Sequence, residues 1–435
     1  MTVTTRFAPS PTGTLHVGNV RTALHNWLWA RKHGGRFLLR IDDTDRERSR
    51  EEYVDAIRAD LVWLGLDIDG EERQSARFDR YDAAFETLKA AGRVYACYET
   101  PEELDIRRKI LLSRGLPPVY ERKPADAPVP DGVAPHWRFR LDHAAPIAWD
   151  DMVRGPQHFD PATMSDPVVR RADGSWLYLL PSVIDDIAMG ITHVVRGEDH
   201  VSNTAVQLQM FGALGAAPPA FAHEALLVGT EGKLSKRLGS LGMQALRDAG
   251  IEPIALVALL ARLGTSDPVE PVTTPAPLIE RIDFARFGRA PARFDEGELA
   301  LLNQKILHHT DHDAVAGRLP AAITPARWRA IRPNLMTVAE AADWVPVFDG
   351  PFAPPPPDDA DRSVLAAAAA AAPGIDWGSD PWSALTAAAK AATGAKGRAL
   401  FLPLRRALTG RDHGPEMAEL LPLIDKSAAI ARLSA

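Results

Sequence analysis

Arg6 to Arg21 reads RFAPSPTGTLHVGNVR, and the reading of these residues decides the fold. Thr4-Thr5-Arg6-Phe7-Ala8 has the character of a short buried strand, and Pro9-Ser10-Pro11-Thr12-Gly13 is turn chemistry that stops it. After His16-Val17-Gly18-Asn19 a helical pattern begins and runs through Leu24, Trp27, Leu28 and Ala30. A strand, a tight Gly/Pro loop and a helix start together present unpaired N–H groups to a polyphosphate. This is not a Walker loop, because no Gly-Lys-Ser/Thr follows the glycines. His16 stands where the chain turns into the helix, and Gly18 permits close backbone approach to a ligand. A histidine that only caps the helix fits this stretch equally well.

Outward from it, Arg36-Phe-Leu-Leu-Arg-Ile41 reads as a fully buried strand with the carboxylate-rich loop Asp42-Asp43-Thr44-Asp45 at its C-terminal end. That end of an open parallel sheet is where ligands bind, although helix capping accounts for at least one of these acids. Helices are predicted from about Ser49 to Leu64 and from Tyr81 to Ala91. Between about 98 and 180 the texture shifts: prolines crowd 117–135, and Trp137-Arg-Phe-Arg-Leu141 alternates as antiparallel strands do. The sheet is expected to resume at Ile191–Val195. There follow a loop Arg196-Gly-Glu-Asp-His200, a helix through Val206 to Leu214, and a strand His223–Val228 leading into Lys233-Leu-Ser-Lys-Arg237. Residues 241–310 are predicted helical, with Pro253 at a helix start. The Ala- and Trp-rich remainder is predicted helical too, interrupted by a stiff break at Pro351–Asp361.

The expected fold class is α/β: a split nucleotide-binding domain with an α+β insertion, followed by all-α C-terminal domains. The boundaries read 1–97, 98–184, 185–240, 241–320 and 321–435. A chain of 435 residues with 46% hydrophobic and 25% charged residues is that of an ordinary soluble globular protein. No apolar run reaches membrane-span length, and no charged segment of signal-peptide type precedes one. The single cysteine, Cys97, rules out an internal disulfide and fits a cytoplasmic setting. The net charge of −7 disfavours indiscriminate nucleic-acid binding, so any RNA contact rests on local clusters. One is Arg107, Arg108, Lys109, Arg114, Arg122 and Lys123; the other, free of acids, runs from Lys390 through Lys396, Arg398, Arg405 and Arg406 to Arg411.

A His-x-Gly-Asn loop near the N-terminus and a far-downstream Lys-x-Ser-Lys loop together resemble the two ATP-binding elements of class I aminoacyl-tRNA synthetases. The stretches RFAPSPTG, LLRIDDTDRERS, THVVRGEDH and LFLPLRRALTGRDHGPEM are similar to glutamyl-tRNA synthetases in particular, and they span residues 6 to about 417. The resemblance implies a split Rossmann-type catalytic domain whose insertion grips the tRNA acceptor end, with helical stem-contacting and anticodon-reading regions after it. It implies ATP-dependent formation of glutamyl-adenylate and transfer to tRNA(Glu), with tRNA(Gln) as a second acceptor in some members. It also implies Mg²⁺ carried by ATP, and a monomer.

By the same resemblance, Arg6, Ala8, Ser10, Asp42, Tyr178 and Arg196 fall on glutamate-binding positions, with Arg196 for the side-chain carboxylate and Asp42 for the ammonium. Relatives more often have Glu at position 42, and Leu179–Ser182 departs from the family pattern. Pro9, His16, Gly18, Asn19, Lys233 and Lys236 fall on the ATP site, with His16 and Lys236 as catalytic residues. Arg107, Arg108, Lys396, Arg398, Arg405 and Arg406 are the tRNA-binding expectation. Many relatives carry zinc on a Cys-x-Cys…Tyr-x-Cys pattern; here Glu99 and Arg122 replace thiolates beside Cys97 and Tyr120, so no zinc is expected. A glutaminyl-tRNA synthetase is disfavoured because Arg196 would bury a cation against a neutral amide. A shortened relative acting on a modified base would lack the helical C-terminal region. A nucleotidyltransferase of another kind would have no use for the basic C-terminal helices. A non-enzymatic RNA-binding protein would have no use for His16 and Lys236.

Overall fold

The computed structural model describes residues 2–124, 128–229, 232–233, 242–350, 352, 354 and 356–435, the side chains of 232 and 233 apart. Two units are distinguished, the first being Met1–Leu246, Val257–Val269 and Thr274–Asp295, the second Arg247–Leu256, Glu270–Thr273 and Glu296–Ala435.

The first unit begins with β1 (Thr4–Phe7), α1 (Val17–Lys32), β2 (Arg36–Ile41), α2 (Glu51–Leu64), β3 (Gly70–Arg73) and α3 (Phe78–Ala90). The strands form a parallel sheet in the order β1-β2-β3, Arg6 lying opposite Leu38. Gly65, at φ 72°, ends α2 in the left-handed conformation that only glycine adopts without a Cβ penalty. In the loop after β2, Asp43 accepts from the Ser75 amide (2.8 Å) and hydroxyl (2.7 Å), the capping role foreseen for one acid there.

The insertion follows: β4 (Val94–Cys97), α4 (Pro101–Ser113), β5 (His136–Phe139), β6 (Ile147–Asp151), β7 (Gly155–Phe159) and β8 (Val168–Arg170). It is antiparallel, as the alternation predicts, with one sheet ordered β4-β5-β8 and a separate β6–β7 hairpin. Its first strand already starts at Val94. Phe139, Leu141 and Val169 of the insertion share one buried core with Leu38, Tyr81, Phe85 and Val194 of the nucleotide-binding fold.

The chain then returns through α5 (Leu179–Ala188), β9 (His193–Gly197), α6 (Val201–Ala213) and β10 (Ala220–Glu224). β9 and β10 pair in parallel with Arg196 opposite His223. β9 lies alongside β1, where the Thr192 amide donates to the Thr4 carbonyl (2.9 Å) and the Thr4 amide donates to Thr192 Oγ1 (2.8 Å). Asn26 of α1 fastens the seam: its carbonyl accepts from Thr5 Oγ1 (2.9 Å) and its Nδ2 donates to the Val195 carbonyl (3.0 Å).

Two sequence expectations need correction. Arg196 belongs to a strand rather than opening a loop, because β9 extends to Gly197 and the turn begins at Glu198. The strand expected over His223–Val228 is two strands, β10 and then β11 (Leu227–Gly229), which pairs with β12 (Gly232–Lys233) and β13 (Ala292–Phe294) in a different sheet. β13 also interrupts the helical run expected over 241–310. That run otherwise holds α7 (Met243–Asp248), α8 (Pro253–Arg262, starting at the proline foreseen), α9 (Ala276–Arg281) and α10 (Glu296–Leu307).

The second unit is helical around a core that includes Trp328, Phe348, Leu385, Leu404 and Leu408, with its helices at Arg362–Ala371, Pro381–Thr393 and Arg398–Thr409 among them. Of the break at 351–361, residues 351, 353 and 355 lie outside the described residues.

Candidate active site

A cleft of about 810 Å³ opens at the C-terminal ends of β1, β2 and β9. Arg6, Ala8, Pro9, Ser10, His16, Gly18, Asn19, Asp42, Tyr178 and Arg196 all line it, so residues drawn from the whole first half of the sequence converge on one space. Lys236 lies outside the described residues, as does the side chain of Lys233. The Lys233 backbone is held in β12, and Gly242, at the far end of that stretch, forms an antiparallel bridge with His16.

His16 caps α1. Its Nδ1 accepts from the amides of Gly18 (3.2 Å) and Asn19 (3.4 Å), and the Asn19 side chain accepts from the His16 amide (3.3 Å). Burial lowers the His16 pKa, so the ring is neutral at neutral pH, and with Nδ1 accepting, the proton resides on Nε2. The amides of Gly18 and Asn19 are therefore taken by the histidine rather than held open for nucleotide, which corrects the role expected of them. A Cβ on Gly18 would lie 3.1 Å from the His16 ring, so glycine here makes room for the imidazole.

Beneath the cleft runs a dry charged network. Arg40, fully buried, grips Asp42 with two hydrogen bonds (Nε–Oδ1 2.6 Å, Nη2–Oδ2 3.1 Å) and also donates to Asp186 (2.7 Å) and to Ser182 Oγ (3.1 Å). Asp186 in turn accepts from Arg6 at 3.2 and 3.5 Å. Its neighbour Asp185 accepts from Arg77 (2.6 Å), the Tyr81 hydroxyl (2.7 Å) and Gln74 (3.0 Å). Three guanidinium groups thus face three carboxylates, a balance that ions removed from water require. Burial works against the Arg40 charge, but Asp42 and Asp186 raise its pKa well above the ordinary arginine value. Asp42 is accordingly not an unclaimed acceptor. Both its oxygens already serve Arg40, and an ammonium would use their second lone pairs.

Arg196 contrasts with these. It is 5% exposed, and its hydrogen-bond partners are all neutral: Tyr178 Oη (3.0 Å), Thr204 Oγ1 (2.6 Å), Gln207 Oε1 (2.7 Å) and His223 Nε2 (3.3 Å). A surface ion pair with its neighbours is not what forms, since Arg196 is buried among neutral acceptors and Glu198 pairs with Arg154. Burial lowers the Arg196 pKa, partly opposed by Tyr178. Burial, with the Arg196 charge adding to it, pushes the nearby His200 pKa down to about 4. Of the five guanidinium N–H groups four are spent on these partners, which leaves one on Nη1 beside a tyrosine hydroxyl free to donate.

Sequence reasoning missed Arg40, Asp186, Thr204, Gln207, His223 and Glu224. One of them had a signal: Arg40 and Asp42 are two apart at the end of a strand and so share a face. Glu224 lines the cleft and packs on α1 through His25 Nδ1 (2.5 Å).

The expected basic contacts divide. Arg107 and Arg108 are exposed on α4, which buries none of its residues, and Lys396 and Arg398 are exposed as well. Arg405 and Arg406 already have partners within the chain. Arg405 holds the Pro415 carbonyl (2.9 Å), and Arg406 is forked onto Asp412 (2.5 and 2.9 Å).

In the insertion, Cys97, Glu99 and His136 bring ligand atoms within 4.8 Å of one another, a third candidate that the sequence pattern did not reveal. Yet Lys123 lies 3.2 Å from Glu99 Oε1, the Tyr120 hydroxyl donates to Glu99 (3.2 Å), and burial raises the Cys97 thiol pKa. Three ligands sharing a site with an ammonium do not make the closed four-ligand set of structural zinc.

The family described as tRNA synthetases class I (E and Q), catalytic domain, matches residues 2–299, and the family described as anticodon binding domain matches 320–435. The chain is 84% identical over 434 residues to glutamate–tRNA ligase 2 of Sphingopyxis alaskensis, covering 100% of this chain and 99% of that one. It is 66% identical over 440 residues to glutamate–tRNA ligase 1 of Rhizorhabdus wittichii, again covering 100% and 99%. A crystal structure of a glutamate tRNA ligase from Elizabethkingia meningosepticum, in complex with its amino acid, superposes with a TM-score of 0.85 at 27% identity, over 100% of this chain and 99% of that one.

Proposed function

The chain belongs to the class I glutamate–tRNA ligases, and from that premise we propose how its own residues divide the work of activating glutamate and passing it to tRNA(Glu). In the first step an α-carboxylate oxygen of glutamate attacks the α-phosphorus of ATP, and pyrophosphate leaves with the bond electrons. In the second, the terminal ribose hydroxyl of the tRNA attacks the anhydride carbonyl, loses its proton and displaces AMP. Such transfers ask for positioning and for positive charge at phosphate oxygens rather than covalent catalysis.

Arg196 and Tyr178 receive the substrate's side-chain carboxylate, one oxygen from the remaining Nη1–H and the other from the phenol. A glutamine amide offers one acceptor where the carboxylate offers two, and it leaves a buried cation uncompensated. That buried guanidinium, surrounded only by neutral acceptors in the same cleft as His16, carries the proposal. Asp42, clamped by Arg40, takes the ammonium together with the Ala8–Ser10 strand end, and Arg6 contributes positive charge beside it. His16 donates from Nε2 to the nucleotide phosphates, with Pro9 shaping the loop. Lys236 and Lys233 meet the departing pyrophosphate from a stretch whose far end is tied to His16 through Gly242. Mg²⁺ arrives on the ATP phosphates, and no side chain is assigned to it.

The functional layout follows the five segments read from the sequence, with residues 98–184 holding the acceptor end through Arg107 and Arg108. The helical C-terminal regions bind RNA through Lys396 and Arg398, with Arg405 and Arg406 shaping that surface. The enzyme works as a cytoplasmic monomer without zinc.

The test is ATP-dependent charging of purified tRNA(Glu) and tRNA(Gln), side by side, with wild type, Arg196→Gln and Lys236→Ala. Charging of tRNA(Glu) that both variants abolish is the expected result. Parallel charging of tRNA(Gln) would extend the substrate range to both. Unchanged charging by Arg196→Gln would overturn the assignment of the carboxylate pocket.

A further inference from the structure

His223 has no role in the reading above, yet it is completely buried between the substrate arginine and an acid from the insertion. Its Nε2 lies 3.3 Å from Arg196 Nε and 2.8 Å from Thr204 Oγ1, and its Nδ1 lies 2.5 Å from Asp151 Oδ2. A guanidinium only donates, so Nε2 must present a lone pair to it, and the single proton of the neutral ring must reside on Nδ1. Asp151 is built to enforce that tautomer. Besides Nδ1 it accepts from the amides of Val153 (3.0 Å), Arg154 (2.9 Å) and His223 itself (3.1 Å). Four donors fix one carboxylate at the end of β6, so it cannot rotate away from the ring.

The choice of groups matters. A carboxylate in direct contact with Arg196 would hold it just as firmly but would neutralise it, and an imidazolium there would repel it. A neutral imidazole whose polarity is set one bond further out orients the guanidinium without drawing on its charge. From this geometry we infer that Asp151 and His223 are a positioning pair that holds Arg196 aligned and unneutralised, and so set the preference of the pocket for glutamate over glutamine. The inference rests on Arg196 being the ligand of the substrate's side-chain carboxylate. Asp151 comes from the insertion and His223 from the central sheet, so the pair also ties the pocket to the segment proposed to hold the acceptor end.

The experiment measures tRNA charging with glutamate and with glutamine for Asp151→Asn, His223→Leu, His223→Gln and the double variant Asp151→Asn/His223→Gln, with Arg196→Gln alongside. Asp151→Asn lets the amide donate to Nδ1 and drives the ring proton to Nε2, against the guanidinium. It is expected to raise KM for glutamate and to shrink the glutamate-to-glutamine ratio of kcat/KM by about tenfold or more, with KM for ATP unmoved. His223→Leu removes the acceptor and is expected to act in the same direction. His223→Gln rebuilds a neutral donor–acceptor chain, glutamine oxygen to Arg196 and glutamine N–H to Asp151 Oδ2, whereas in the double variant the asparagine oxygen stays with its three backbone amides and its N–H faces the glutamine. His223→Gln is therefore expected to keep more of the preference than either His223→Leu or the double variant.

If Asp151→Asn lowers use of both amino acids and of ATP alike, or if His223→Gln is no better than the double variant, the pair is only structural and the inference fails. If any variant does not fold, the remaining comparisons, His223→Gln against His223→Leu or against the double variant, decide the question by the same ratio. A wild-type ratio in Arg196→Gln would sink the pocket assignment itself. Loss of glutamate use in Arg196→Gln with an unchanged ratio in the Asp151 and His223 variants would sink only the positioning pair.

Discussion

Replacing Arg40 by methionine tests the charged floor of the cleft. Arg40 is fully buried and serves Asp42 twice, Asp186 once and Ser182 twice, at its hydroxyl and its carbonyl, through its forked tip. Removing one partner of a buried ion pair costs ~3–5 kcal/mol, because the other charge stays behind without water. Asp186 keeps Arg6, so the exposed debt falls on Asp42, and the lower end of that range, about 3 kcal/mol, is expected for Arg40→Met. Asp42→Asn, which leaves Arg40 its contacts with Asp186 and Ser182, should cost about 1.5–3 kcal/mol. The double variant no longer strands the Asp42 charge and should cost less than the sum by about 1–3 kcal/mol. The two-unit chain does not unfold as one step, so the measurement is native-state hydrogen exchange at the amides of β2 and α1 in increasing urea. Glutamate KM should rise in both single variants. Costs that add to within about 0.5 kcal/mol would show that Arg40 and Asp42 are not coupled, and the account of Asp42 as a clamped ligand would be wrong.

Four other outcomes are expected. Arg196→Gln should lower kcat/KM for glutamate by roughly a hundredfold or more, the loss of a charge-assisted, buried contact, read in the charging assay. Burial depresses the pKa of His16, His136, His193, His200 and His223, so below about pH 6.5 the unfolded chain binds protons that the folded chain refuses. Stability should be full above that pH and fall as pH drops toward 5; a melting temperature that holds or rises over this interval would contradict the assignment. Lys396→Glu and Arg398→Glu should weaken tRNA binding and each reduce the salt slope by about 0.7–0.9, whereas substitutions at the Asp412-paired Arg406 should show up first as lost stability of its helix. Elemental analysis of the purified protein should find no stoichiometric zinc; one zinc per chain that disappears in His136→Ala would instead make Cys97, Glu99 and His136 ligands.

What could be read from the sequence was whatever is local. β2 was placed at its observed limits, α1 and α2 within two residues at their starts, because strand burial, turn chemistry and helical spacing act over a few neighbours. Arg196 and His16 are legible because unusual residue types stand at element ends, and Tyr178 only through the family resemblance. The strand position of Arg196 is not legible, since β9 continues through a charge that sequence patterns treat as a stop. The partners that give these residues their properties were not legible: Asp186 meets Arg6, and Asp151 meets His223, across long intervals of chain. That Gly18 also makes room for the His16 ring, besides lining the cleft, is not legible from the sequence. β13 was hidden because a three-residue strand gains its identity from β11, not from its own composition.

The seam between β1 and β9 has a consequence for synthesis. β1 pairs with β2 on one side, but on the other Thr4 meets its partner only at Thr192, and Asn26 must wait for the Val195 carbonyl. On the ribosome one edge of the first strand therefore remains open until residues 192–197 have emerged, an interval on the order of tens of seconds at bacterial elongation rates of ~5–20 residues per second. An unpaired edge lasting that long is a site for mispairing with other nascent chains. The seam should be where this polypeptide most needs chaperone cover, and slowing translation before codon 193 should lower the yield of soluble enzyme more than the same delay after codon 224.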